Sequence, residues 1–170
     1  RKHHKFSFGA KHTYNTTNFE TNVAHYDSHS LKKNSEHRFG IFANDEISFS
    51  KKLSLKAGFR LDYPLHIGKF YAQPRVNLTY RMAENWTFNA AVGRYHQFIV
   101  KNSIIDDFEN FLYVWNLADN NVIPVLSATH GTASFLFHQP NFKFQLEGFY
   151  KNIDNISIYR LDVNTDKLTQ

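Results

Sequence analysis

From Leu53 to Asp62 the chain alternates without a break between apolar and polar residues. Leu53, Leu55, Ala57, Phe59 and Leu61 fall on one parity, and Ser54, Lys56, Gly58, Arg60 and Asp62 on the other. Successive side chains of a strand point to opposite faces, so one face of this segment requires an apolar medium and the other requires water or polar partners. That medium is either a protein core or lipid, and the rest of the chain has to decide between them.

The same period recurs along the chain. Phe6, Phe8, Ala10, His12 and Tyr14 alternate with polar residues as a first strand. Residues 15–36, rich in Asn, Thr, Ser and Lys, read as a long loop into which Phe19, Thr21, Val23 and His25 extend the period. Strands are expected from Arg38 to Phe49, through the segment at 52–62, from Tyr71 to Met82, from Trp86 to Tyr95, from Ser127 to His138 and from Phe142 onward. Tyr63–Lys69, with Pro64 and Gly68, is a moderate loop, His96–Leu126 is long and irregular, and Asn164-Thr-Asp166 is a loop tip. Residues 156–162 either continue the last strand or begin another.

Composition points the same way. Seventeen Phe and nine Tyr suit pleated sheets. The absence of cysteine excludes disulfides, thiolate metal sites and a thiol nucleophile from these residues. Basic residues are scattered over alternating parities, which argues against a nucleic-acid-binding stripe despite a net charge of +5. No apolar run is long enough for a transmembrane helix, and the Arg1-Lys-His-His-Lys5 start shows no signal peptide. No nucleophile elbow, paired zinc-ligand helix motif or phosphate-binding glycine loop is present, and neighbouring acids such as Asp45 and Glu46 point to opposite faces of a strand. An enzyme is not expected, nor is a cofactor.

Connections after Phe49, Met82 and His138 are short, whereas those after Tyr14, Asp62 and Tyr95 are longer. In an up-and-down arrangement this places all tight turns at one end and all long loops at the other, the asymmetry of outer-membrane barrels. Phe49, Trp86 and Phe142 lie beside the tight turns, and Tyr63, Tyr95 and Tyr150 near the opposite ends, where interface girdles are expected. Both features favour lipid for the apolar face. The expected fold is therefore all-β, an antiparallel up-and-down transmembrane barrel section of about eight strands occupying residues 1–170. A soluble β-barrel with an apolar ligand inside and a small, complete outer-membrane structural barrel are the alternatives.

Four local patterns, in order, carry a family resemblance. Phe39-Gly-Ile-Phe-Ala-Asn-Asp-Glu-Ile-Ser-Phe-Ser50 is followed by the Leu-x-Leu-x-x-Gly-x-Arg-x-Asp run at 53–62. Ala72-Gln-Pro-Arg-Val-Asn-Leu-Thr-Tyr80, Asn85-Trp-Thr-Phe-Asn-Ala-Ala-Val-Gly-Arg-Tyr-His-Gln-Phe98 and Phe149-Tyr-Lys-Asn-Ile-Asp-Asn-Ile156 follow. Over about residues 1–160 this order resembles the barrel of TonB-dependent outer-membrane receptors. The resemblance implies active uptake of a scarce, bulky nutrient (siderophore, metal chelate, vitamin or glycan) across the outer membrane of a Gram-negative bacterium. It also implies a plug domain and TonB as partners, neither of which these residues contain; those barrels have 22 strands around a plugged lumen, so the chain matches a section of the wall.

Lys56, Arg60 and Arg75 are the residues expected to face the lumen, toward a plug, an anionic cargo or plain water. Tyr95, His96, Tyr113 and Trp115 are candidates for outer-loop contact with cargo. Arg94 falls on the lipid parity at the outer rim, where it is positioned to pair with a lipopolysaccharide phosphate or to reach into the loop. His25, Asp27 and His29 form the one local cluster of metal-ligating type, incomplete as a site.

Overall fold

The computed structural model describes residues 3–23, 28–105, 111–156, 159–162 and 167–169, with side chains described over 3–18, 33–101 and 113–156. Its strands are β1 (His3–Val23), β2 (Ser28–Ser48), β3 (Leu53–Pro64), β4 (Tyr71–Arg81), β5 (Trp86–Gln97), β6 (Ile99–Ile105), β7 (Phe111–Leu117), β8 (Leu126–Gln139), β9 (Phe142–Asp154), β10 (Tyr159–Asp162) and β11 (Lys167–Thr169). Seven of them form one sheet in the order β1-β2-β3-β4-β5-β8-β9, every neighbouring pair antiparallel. The other strands form a smaller sheet, β11-β10-β6-β7. The large sheet is the expected up-and-down wall.

Two expectations change, and one open alternative is decided. Residues 15–36 are largely strand, because β1 and β2 stay in register from His3↔Ser48 to Val23↔Ser28. Their polar composition reflects the medium around them: outside lipid, a two-stranded ladder needs no apolar face, and threonines such as Thr13, Thr16 and Thr17 suit the pleat. The stretch after β5 is also not wholly irregular, since β6 and β7 pair from Ile99↔Leu117 to Ile105↔Phe111, and β5 itself includes His96. Finally, the wall ends at Asp154, and the segment beyond contributes β10, which runs parallel to β6 in the smaller sheet. The loop tip at 164–166, like His25 and Asp27, lies outside the described residues.

Large apolar side chains on the apolar parity of the wall stand exposed. Phe8 is 78% exposed, Phe59 46%, Val92 54% and Leu146 61%, and all four share the apolar parity. No packed layer covers that side among the described residues. The buried apolar residues lie elsewhere. Phe98, Val100, Ala118, Ile123 and Val125 cluster with Ile67, Tyr71 and Leu126 at the long-loop end. Tyr71 and Leu126 project from the polar parity of β4 and β8, so the long connections fold over the polar face and leave the apolar face bare. A soluble barrel would do the opposite.

The apolar face also has the height of a bilayer. From Phe49 beside the tight turn to Phe39 is about ten residues, or roughly 33 Å of strand, which at the usual 35–45° tilt spans about 25 Å. Aromatic rings gather at both limits. Trp86 meets Phe137 with tilted rings at 4.8 Å between centroids, with Phe142 beyond it at 6.2 Å from Phe137. At the other limit Tyr63 meets Phe70 at 4.7 Å, and His12 meets Phe39 at 4.8 Å. Asp45, the one acid on the apolar parity of β2, pairs with His4 at 2.9 Å near the tight-turn end.

Placing arginine on this face halfway between the two girdles should cost about 2–4 kcal/mol. Phe59→Arg in the full-length receptor, unfolded by urea from lipid, is expected to show that loss, whereas Lys56→Gln on the opposite face should leave stability within about 0.5 kcal/mol.

Candidate functional site at the outer end of the sheet

Where the wall leaves the apolar band, its polar face carries two buried carboxylates. Asp62, near the end of β3, is 1% exposed. Its Oδ2 lies 2.9 Å from Arg60 Nε, and Arg60 Nη2 donates to Oδ1 at 2.9 Å. Gln73 Nε2 donates to Oδ2 at 2.5 Å. The carboxylate fits because the residue across from it is Gly40: a Cβ there would collide with Asp62 Oδ1. The backbone ladder between β4 and β5 ends at Arg75↔Gly93, and above it the Gln73 side chain spans the gap, its Oε1 accepting the His96 N–H at 3.4 Å. Buried polar groups are tolerated where they are hydrogen-bonded in this way.

Glu36 is the second carboxylate, also 1% exposed. Asn15 Nδ2 on β1 donates to its Oε1 at 3.0 Å, and Arg38 Nη1 lies 3.0 Å from the same oxygen. Arg38 then stacks on Phe98, 4.3 Å from the ring centroid. His66, 4.0 Å from Glu36 Oε2 through Nδ1, donates through Nε2 to the Ala118 carbonyl at 2.6 Å. One acid thus ties β1 and β2 to the β3–β4 connection and to the segments on either side of the β6–β7 hairpin. That hairpin is seated by a tight turn in which Asp119 Oδ1 accepts the N–H groups of Asn121, Val122 and Ile123. Asn120 follows in the left-handed region at φ 62°, which its short side chain tolerates. Its Nδ2 donates to the Tyr71 hydroxyl at 2.5 Å.

Between these anchored loops and the wall lies a cleft of about 600 Å³ on the polar side. Tyr95 and His130 form part of its wall, their rings 5.1 Å apart, and Lys151 stands opposite His130 in the β8–β9 register. Trp115 of β7 and Arg38 of β2 border the same space, and so do His96, Phe98 and Ile153. Lys151, the Glu36-paired Arg38, the imidazoles of His96 and His130 and several aromatic surfaces therefore converge there. Such a surface complements an anion of substantial size, and it contains no paired acid and base set for bond cleavage.

The residues expected from sequence distribute unevenly. Tyr95, His96 and Trp115 border the cleft. Tyr113 is not among its lining residues; its ring instead carries the Lys101 ammonium 4.3 Å from the centroid. Lys56, Arg60 and Arg75 occupy the polar parity as expected but lie below the cleft: Lys56 is exposed opposite Glu46, Arg60 is committed to Asp62, and Arg75 lies over Gly58, 2.8 Å from where a Cβ would be. Of the metal-type cluster, His29 contributes only a described backbone in β2, paired with Asn22. Among the described residues no three His, Cys, Asp or Glu side chains gather to hold a metal. Sequence reasoning overlooked Glu36, Arg38, Asp62, Gln73, His130 and Lys151. Parity places Asp62 and Gln73 on the polar face, but only register brings Lys151 beside His130.

The family model for TonB dependent receptor-like β-barrels matches residues 2–169. The chain belongs to this family. A variant of the ferric enterobactin receptor of Pseudomonas aeruginosa superposes with a TM-score of 0.66 at 14% identity, over 92% of this chain and 28% of that one. A siderophore receptor of the same bacterium superposes at 0.63 with 13% identity, over 96% and 36%. One from Acinetobacter baumannii gives 0.58 with 12% identity, over 81% and 22%. No curated protein matches. At these identities the likeness is one of fold, and the chain spans about a third or less of the receptor of which it covers 28%. TonB-dependent receptor barrels sit in the outer membrane of Gram-negative bacteria.

Removing either buried carboxylate's support should be costly. Asp62→Ala is expected to destabilise the full-length barrel by about 2–3 kcal/mol, since it strands the Arg60 guanidinium and the Gln73 amide, partly offset by Arg60's access to water. Gly40→Ala should act in the same direction by expelling the Asp62 carboxylate, and thermal unfolding of the two variants and their combination should show that their effects do not add.

Proposed function

We propose that this chain forms part of the wall and outer mouth of an outer-membrane receptor that imports a bulky anionic nutrient, with a ferric chelate of the siderophore type the best fit. The observation that carries this reading is the cleft, with Arg38, Lys151 and His130 converging beside Tyr95 and Trp115. Fixed cations attract an anion from a distance and raise its local concentration, while aromatic faces supply contact area with little conformational cost. The solved relatives are receptors for ferric enterobactin or siderophores, which supports the same class. A neutral vitamin or glycan would use the aromatic surfaces but would leave Lys151 without a counter-charge, Arg38 being paired with Glu36.

In this reading Lys56 and Arg75 face the lumen, toward the plug domain through which TonB delivers energy. Tyr95, His96 and Trp115 take the cargo at the mouth. The outer leaflet surrounds the rim, and the cell compartment is the outer membrane.

Lys151→Glu tests the charge argument directly. In the full-length receptor, titration calorimetry with a panel of ferric chelates should show at least a tenfold loss of affinity for the anionic members, about 1.4 kcal/mol. Neutral chelates should change little. Equal affinity of the two proteins for every anionic member would contradict the assignment of the cleft to cargo.

A further inference from the structure

One buried oxygen at the outer end of the sheet has no donor. Glu36 Oε2 is enclosed and accepts no hydrogen bond among the described residues, although Oε1 of the same carboxylate meets both Asn15 Nδ2 and Arg38 Nη1 at 3.0 Å. The group facing it is His66, whose Nδ1 lies 4.0 Å away, within ion-pair reach but too far for a hydrogen bond. The other ring nitrogen fixes the tautomer. His66 Nε2 lies 2.6 Å from the Ala118 carbonyl, which can only accept, so Nε2 carries the proton of the neutral ring. Nδ1 of a neutral His66 therefore turns a lone pair toward the carboxylate. A second proton, on Nδ1, converts that opposition into an ion pair and gives the orphaned oxygen its donor.

Both ends of this contact lead to the cleft. Ala118 directly follows β7 and is fully buried, and its N–H donates to the Phe98 carbonyl at 2.8 Å. Arg38, held on the Glu36 carboxylate, lies over the Phe98 ring. Arg38, Phe98, Ile99 and Trp115 all border the cleft. The His66 side chain is 28% exposed and so can exchange a proton with water, whereas that of Glu36 is wholly buried. The neighbouring ionisable groups are already engaged: Arg38 with Glu36, Asp119 Oδ1 with the N–H groups of its own turn, and the Tyr71 hydroxyl with Asn120, while Lys69 follows on the same connection. A metal ion is a poorer occupant than a proton, because Glu36 Oε2 and His66 Nδ1 supply two ligands and Arg38 already lies on the same carboxylate. We propose that Glu36 and His66 form a proton-operated latch that seats the β6–β7 hairpin over the cleft. Protonated His66 grips Glu36 and the Ala118 carbonyl together; neutral His66 keeps only the carbonyl. The latch is complete at acid pH and loses its Glu36 half as pH rises through the range in which imidazoles ordinarily titrate, about 6–7. It rests on the seating of the hairpin and not on the identity of the cargo.

The test uses the full-length receptor in lipid nanodiscs, without cargo, and amide hydrogen exchange at about pH 5.5 and about pH 8, each rate divided by the intrinsic rate at that pH. In wild type the amides of β6, β7 and Ala118 should be roughly fivefold better protected at the lower pH. His66→Gln, whose side-chain amide can still donate to the Ala118 carbonyl, should show the lower protection at both pH values. Glu36→Gln should lose the difference as well. His96 and His130 also border the cleft, so the comparison of variants, and not the wild-type profile alone, identifies the latch. Amides of β3 should exchange alike in every variant and at both pH values, which shows that the wall is folded. Equal protection of the wild-type hairpin at the two pH values would overturn the proposal. So would a pH difference of wild-type size surviving in His66→Gln, or acid protection that a metal chelator removes. Because no chelate is present, a negative result here leaves the Lys151→Glu comparison untouched, and failure of the cargo assignment leaves the latch standing.

Discussion

In hydrocarbon no water is available to pair a peptide N–H or C=O, so a strand can cross a membrane only inside a continuous ladder. The wall obeys that constraint from β1 to β9, each strand antiparallel to the next. Register then decides everything else. A slip of one residue between β2 and β3 would turn Phe59 toward the lumen and Arg60 toward lipid. Pairs such as Ala43↔Phe59 and Phe42↔Arg60 fix the alignment that keeps them apart. The outermost strands β1 and β9 do not pair with one another. Free edges are not viable in lipid, which fits a section of a larger wall.

The ladder outlasts the membrane. Above Phe39 the β1–β2 pair continues without an apolar face, and the polar face begins to bury charge. Glu36 and Asp62 sit where the wall meets the folded loops, each within a set of donors that would be expensive to assemble in hydrocarbon and unnecessary in open water. Their placement holds the β6–β7 hairpin over the polar face through Arg38, Phe98 and the His66–Ala118 bond. The cleft is the space this arrangement leaves. Its cations and aromatic rings come from strands far apart in the chain, brought together by loops that are themselves held by acids.

Much of the wall was legible because barrel strands obey a period of two and their turns are short. Leu53–Asp62 announced its direction as well as its shape once the tight turns and aromatic positions were set beside it. What escaped was the region where polarity ceases to report secondary structure. Residues 15–36 look like a loop because they are polar, yet 15–23 and 28–36 are strand. The β6–β7 hairpin was hidden in the same way by its mixed composition. The cleft is only half legible: Tyr95 and His96 lie near the outer ends and Trp115 in the longest loop, and all three border it, while Lys151 and Arg38 depend on register and loop packing that no local pattern encodes.

The central claim is the orientation of the wall, apolar face to lipid and polar face to the lumen. Because these residues include no cysteine, single cysteines can be introduced along β3 without competing labels among them. Spin labels at Leu55, Lys56, Ala57, Phe59, Arg60 and Leu61 of the full-length receptor in bilayers should alternate in their accessibility to oxygen and to a water-soluble nickel chelate. Labels at 55, 57, 59 and 61 should meet oxygen and be shielded from nickel, and those at 56 and 60 should do the reverse. An alternation of opposite phase, or none at all, would contradict the account.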